Sequence, residues 1–84
     1  MKKDIKISAA GNTETPAYLC LKELGYEITV GVKKNELWKA RKNGQEIIGN
    51  GPLELLALVK IVEMRGDSWQ ASDDEIEDFV SKYC

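Results

Sequence analysis

Protein-catalysed chemistry near neutral pH asks for a nucleophile beside a base, two carboxylates in unlike environments, or three to four converging metal ligands. This 84-residue chain has no histidine, so the commonest general base and the commonest metal ligand are both missing. Its two cysteines, Cys20 and Cys84, are too few to frame a disulfide-stapled scaffold and read as free thiols. Cys20 lies in an apolar helical stretch, where cysteine acts as a small buried hydrophobe. Five carboxylates crowd together at Asp73, Asp74, Glu75, Glu77 and Asp78. A calcium loop needs acids at alternating positions with glycine at the sixth, which this run does not provide. It reads instead as the solvated opening turns of a helix, favoured there by the helix dipole. No metal, no cofactor and no enzymatic activity are expected.

A second candidate is Gly49-Asn50-Gly51-Pro52, a loop entering a helix whose backbone N–H groups could face an anion. It carries neither glycine-rich phosphate fingerprint and no following lysine, and capping alone explains it. The third candidate is a surface. Residues 1–50 hold nine basic and six acidic residues, and residues 51–84 hold three and eight, giving +3 and −5 within a net charge of −2. Lys33, Lys34, Lys39, Arg41 and Lys42 gather around Trp38, and a basic hairpin bearing an aromatic can meet phosphates or an acidic protein surface. The same residues also serve to keep exposed strands from pairing edge to edge, with Trp38 covering Gly49. Trp69, in a polar linker, is either a lid on the core or a binding anchor, and reads first as a lid.

These residues need elements to position them. Ile5 and Ile7 alternate with polar residues and predict a first strand over 4–8. Thr15 and Pro16 predict a capped helix over 16–24 that ends at Gly25, with Ala17, Leu21 and Leu24 on one face. Tyr26, Ile28, Val30 and Val32 alternate as a second strand. Asn43-Gly44 predicts a type I′ hairpin that sets Lys42 opposite Gln45, Arg41 opposite Glu46, Ala40 opposite Ile47 and Trp38 opposite Gly49.

Pro52 opens a helix over 52–65 whose apolar residues run nearly all the way round, the mark of a helix covered on more than one side. Leu56 and Ile28 are expected in the core. Ser72-Asp73-Asp74-Glu75 matches a capping box and starts a helix over 73–83, whose stripe of Ile76, Phe79, Val80 and Tyr83 should dock on the preceding helix.

The fold expected is a single α+β domain over residues 1–84, two-layered, in the order β-α-β-β-β-α-α. A small mixed sheet with the Asn-Gly hairpin packs against the helices. The inner helix-strand-strand-strand-helix order is that of the double-stranded-RNA-binding module, but that module uses basic residues at the start of its last helix, where this chain has Gly51-Pro52-Leu53-Glu54. With neither a signal-peptide core nor the roughly 20 apolar residues of a membrane span, the chain is expected in the cytoplasm. The function expected is a small protein-interaction, inhibitory or regulatory module whose partner is another protein. That partner is expected to be oppositely charged and to meet the hairpin's exposed face, with Trp38 as an anchor, or the acidic last helix. The alternative is nucleic-acid binding through Lys33, Lys34, Lys39, Arg41 and Lys42 on the basic hairpin surface.

Overall fold

A computed structural model describes residues 4–31 and 37–84. Among these the order is α1 (Glu14–Glu23), β1 (Glu27–Val30), β2 (Trp38–Lys42), β3 (Gln45–Gly49), α2 (Pro52–Arg65) and α3 (Asp73–Tyr83), with 3-10 turns at Gly11–Thr13 and Gly66–Ser68. The chain is therefore a mixed helix-and-strand protein. Its sheet is three-stranded and wholly antiparallel, in the order β1-β2-β3.

The strand expected over residues 4–8 does not form, and with it go the fourth strand and the crossover that would have made the sheet mixed. Ile5 and Ile7 stand 87% and 78% exposed. Ordering each backbone residue costs about 1–2 kcal/mol, which two isoleucines that bury almost none of their surface do not offset. The helix expected from residue 16 starts earlier, at Glu14 after the cap position Thr13. Pro16 then falls at the third helical position, still within the first turn where its missing N–H breaks no helical bond.

Elsewhere the local chemistry acts as its residue types dictate. Gly25, at φ +93°, closes α1: its N–H donates to the Lys22 carbonyl and the Tyr26 N–H to the Leu21 carbonyl, each at 3.0 Å. That is the paired bonding of a Schellman end, and Leu21 and Tyr26 meet in the core as its apolar closure. Asn43 and Gly44 both take positive φ, 51° and 82°, as a type I′ turn requires. The register that follows is the expected one, from Lys42 opposite Gln45 to Trp38 opposite Gly49.

The core is one cluster of Leu21, Tyr26, Ala40, Ile47, Leu55 and Val59, built by α1 and α2 against one face of the sheet. Ile28 and Leu56 are half-buried around it, not within it. The helix-long apolar character of α2 is met by burial on one side alone: Pro52, Leu55 and Val59 are buried, whereas Ile61 is 40% and Met64 75% exposed.

The largest departure is α3. Its capping box forms, the Ser72 N–H donating to Glu75 Oε1 at 2.8 Å and the Glu75 N–H to Ser72 Oγ at 3.2 Å. The helix then runs as expected, but it does not dock on α2. All of its residues are exposed, including Ile76 at 49%, Phe79 at 57%, Val80 at 47% and Tyr83 at 75%. The connection explains the direction it takes. Gly66 adopts φ 65°, ψ −145°, backbone open to glycine and strained for other residues. Arg65 Nε donates to the Trp69 carbonyl at 2.9 Å, Nη2 reaches the Gln70 carbonyl at 3.5 Å, and the guanidinium lies 3.6 Å from Glu75. This turn carries α3 away from α2. Trp69 sits in it half-exposed and outside the core cluster, not as a lid.

Candidate functional site

Strand geometry divides the expected basic surface between two faces. Alternation puts Trp38, Ala40 and Lys42 on the face that meets the helices, and Lys39 and Arg41 on the opposite face. Lys33 and Lys34 lie outside the described residues. Two of the remaining cations have local partners. Arg41 pairs across the hairpin with Glu46, with Nε and Nη2 both 2.6 Å from Oε2. Lys42 Nζ donates to the Leu24 carbonyl at 2.6 Å and lies 5.3 Å from the centre of the Tyr26 ring. A lysine on the last carbonyls of α1 is a C-terminal cap and complements the helix dipole. Lys39 stays on the outer face beside Thr29 and Ile48, its register partners.

Trp38 is half-buried and lines a cavity of about 570 Å³ between the first turns of α1 and α2, with Glu14, Tyr18, Asn50, Pro52 and Glu54. Both acids here are engaged in capping. Glu14 Oε1 accepts the Leu53 N–H at 3.0 Å. Glu54 Oε1 accepts from the Asn50 N–H and Nδ2, both at 3.3 Å. The place an external anion would take at the start of α2 is thus filled by a carboxylate of the chain itself, and the Gly49–Pro52 loop is structural. Gly49 fits there because a Cβ would come within 3.3–3.4 Å of Glu54 and Leu55. Sequence reasoning missed the role of Glu14, since no local pattern links it to a helix 39 residues on.

A second groove, of about 820 Å³, runs between α1 and α2 on the side away from the sheet. Cys20, Leu24, Leu53, Leu56 and Ala57 give it an apolar floor, and Glu23, Lys60 and Glu63 edge it. Cys20 is therefore exposed on a groove rather than buried, because Ala17 and Leu21 take the core-facing positions of α1. The sequence carried a signal for this groove: the apolar residues of α2 outnumber what one covered face can hold.

Among the described residues no group of three or more Cys, Asp or Glu side chains is placed to hold a metal ion. The acids of α3 follow one another along its exposed turns; Lys82 Nζ pairs with Asp78 at 3.0 Å, and Arg65 reaches Glu75. The Ser72 backbone N–H, then the Ser72 hydroxyl and then Arg65 hold the Glu75 carboxyl below its ordinary pKa. Burial, aided by the Glu63 carboxylate, pushes the Tyr26 phenol up. Neither shift lies in a catalytic arrangement. No helix among the described residues is long and apolar enough to cross a membrane. Comparison with protein-family models, with curated proteins and with solved structures finds no match.

Proposed function

We propose that this chain is a non-enzymatic protein-interaction module and that α3 is its docking element. The observation that carries the reading is the exposed stripe of Ile76, Phe79, Val80 and Tyr83 on a helix whose other faces are acidic. Folded proteins in water rarely leave apolar patches of more than a few hundred Å² open, and those they leave mark contact sites. An amphipathic helix presenting anchors at i, i+3, i+4 and i+7 is the standard ligand of an apolar groove. Phe79 and Tyr83, with rings 5.6 Å apart, supply the aromatic anchors that dominate such contacts.

The reading of the hairpin as a nucleic-acid surface has less support, since Arg41 and Lys42 are paired within the chain and Trp38 faces inward.

The experiment is capture of tagged chain and its Phe79→Glu variant from lysate of the source organism, with and without nuclease. A protein retained by the wild type, resistant to nuclease and lost with Phe79→Glu is the expected result. Retention abolished by nuclease and indifferent to Phe79 would replace this reading with the nucleic-acid one.

A further inference from the structure

We infer that the groove between α1 and α2 is the seat of α3 from a second copy of this chain, so that two chains exchange their C-terminal helices. The inference rests on the reading of α3 as a docking helix and names its partner.

Both halves of the contact are present in one molecule and both are uncovered. The groove has an apolar floor at Cys20, Leu24, Leu53, Leu56 and Ala57. Helical spacing extends it along α2, where Leu53, Ala57, Lys60 and Met64 fall at i, i+4, i+7 and i+11, and Met64 is 75% exposed. The chain's own α3 is directed elsewhere by the Gly66 turn and by the bonds from Arg65 to Trp69, Gln70 and Glu75. A helix with an apolar stripe and a groove without an occupant, held apart in one chain, are satisfied together when two chains exchange. Reciprocal exchange gives a closed two-fold dimer with two identical seats and no open end from which to polymerise.

Surface area supports a second copy. A folded monomer of this mass exposes roughly 5,000 Å² by the scaling of surface with size. This chain exposes 7315 Å². Residues 4–10, exposed and outside any helix or strand, account for part of the excess. A stable interface needs only about 800 Å² from each partner, and the exposed faces of α3 and of the outer side of α2 are where the exchange would bury it. The molecule is also open, with a radius of gyration of 15.4 Å where a compact domain of this length has about 12 Å. Helix α3 is acidic and the groove is edged by Glu23, Glu63 and Lys60, so the contact rests on the apolar stripe and floor, and added salt, by screening the like charges, should tighten it.

The test is light scattering coupled to size exclusion, on wild type, Phe79→Glu in the helix and Ala57→Lys in the groove, with circular dichroism to verify that each is folded. Ala57 is exposed, so its replacement leaves the core intact. Wild type should show twice the 9.4 kDa chain mass, and each variant alone the mass of one chain. An equimolar mixture of the two variants keeps one intact seat of the two, the helix of the Ala57→Lys chain in the groove of the Phe79→Glu chain, and should dimerise more weakly than wild type but at concentrations where neither variant does so alone. Wild type that stays monomeric across the concentration range overturns the inference. So does an Ala57→Lys chain that still dimerises, which would mean α3 pairs with α3, and so does a variant mixture that associates no more than either variant alone at any concentration. If wild type is monomeric and yet captures a different protein in a Phe79-dependent manner, the docking reading stands and the second copy falls. If it captures nothing, both fall.

Discussion

Glu14 shows how much one side chain can do in a molecule this small. Its carboxylate accepts the Leu53 N–H, which satisfies one of the open donors of α2 and ties the first turns of both helices together across the cavity that Trp38 lines. Removing a cap of this kind costs about 1 kcal/mol, so Glu14→Ala should lower the unfolding free energy by that amount, seen as a lower urea midpoint with an unchanged m-value. Gly49-Asn50-Gly51-Pro52 was legible in the sequence as a helix start, but its cap was not, because a contact over 39 residues leaves no local trace. The core shows the same limit. Periodicity placed Leu56 inside, whereas Leu55 is fully buried and Leu56 half-buried on the groove. Leu55→Ala should therefore cost about 2–5 kcal/mol in a denaturant melt, and Leu56→Ala distinctly less. The opposite ranking would show that α2 is rotated from the orientation described.

Among the elements, those specified by backbone chemistry were legible and those that depend on a distant surface were not. The hairpin follows from Asn43 and Gly44, because positive φ at both positions admits few other turns and a two-residue loop leaves one register. Helix α3 follows from Ser72 and Glu75, whose reciprocal bonds close its first turn. The alternation over residues 4–8 had no such device, and the stripe of α3 says that a face is apolar without saying what covers it. The capping box gives α3 a pH dependence with a definite sign. Glu75 is held below its ordinary pKa, first by the Ser72 backbone N–H, then by the Ser72 hydroxyl and by Arg65. Its contribution is therefore present above the usual glutamate range and is lost as pH falls through the lowered value. Acidification below about pH 4 should fray the start of α3, seen as loss of helical NMR shifts in residues 73–76 ahead of any change in α2. Glu75→Gln should remove that acid step. Ser72→Ala should weaken the same turn by about 1 kcal/mol at neutral pH.

At the scale of the whole molecule, the fold has a tight half and an open half. Helices α1 and α2 close over one face of the sheet around Leu21, Leu55 and Val59, while α3 and the outer side of α2 face solvent with Phe79, Tyr83 and Met64 exposed. At 84 residues the chain lies just above the size, roughly 70–80 residues, below which a single core is marginal, and α3 adds nothing to its core, so oligomerisation is one of the few ways left for it to gain stability. If exchange of α3 supplies that stability, unfolding includes dissociation, and the melting temperature must depend on protein concentration. For a dimer that unfolds to two chains, a tenfold rise in concentration adds about 1.4 kcal/mol per dimer, or about 0.7 kcal/mol per chain, which shifts Tm by roughly 3–5 °C in a domain of this length. Phe79→Glu should melt at one temperature at every concentration, below the wild type and converging on it at high dilution. A wild-type midpoint that does not move with concentration would mean that α1, the sheet and α2 hold the fold unaided, leaving α3 free for some other protein.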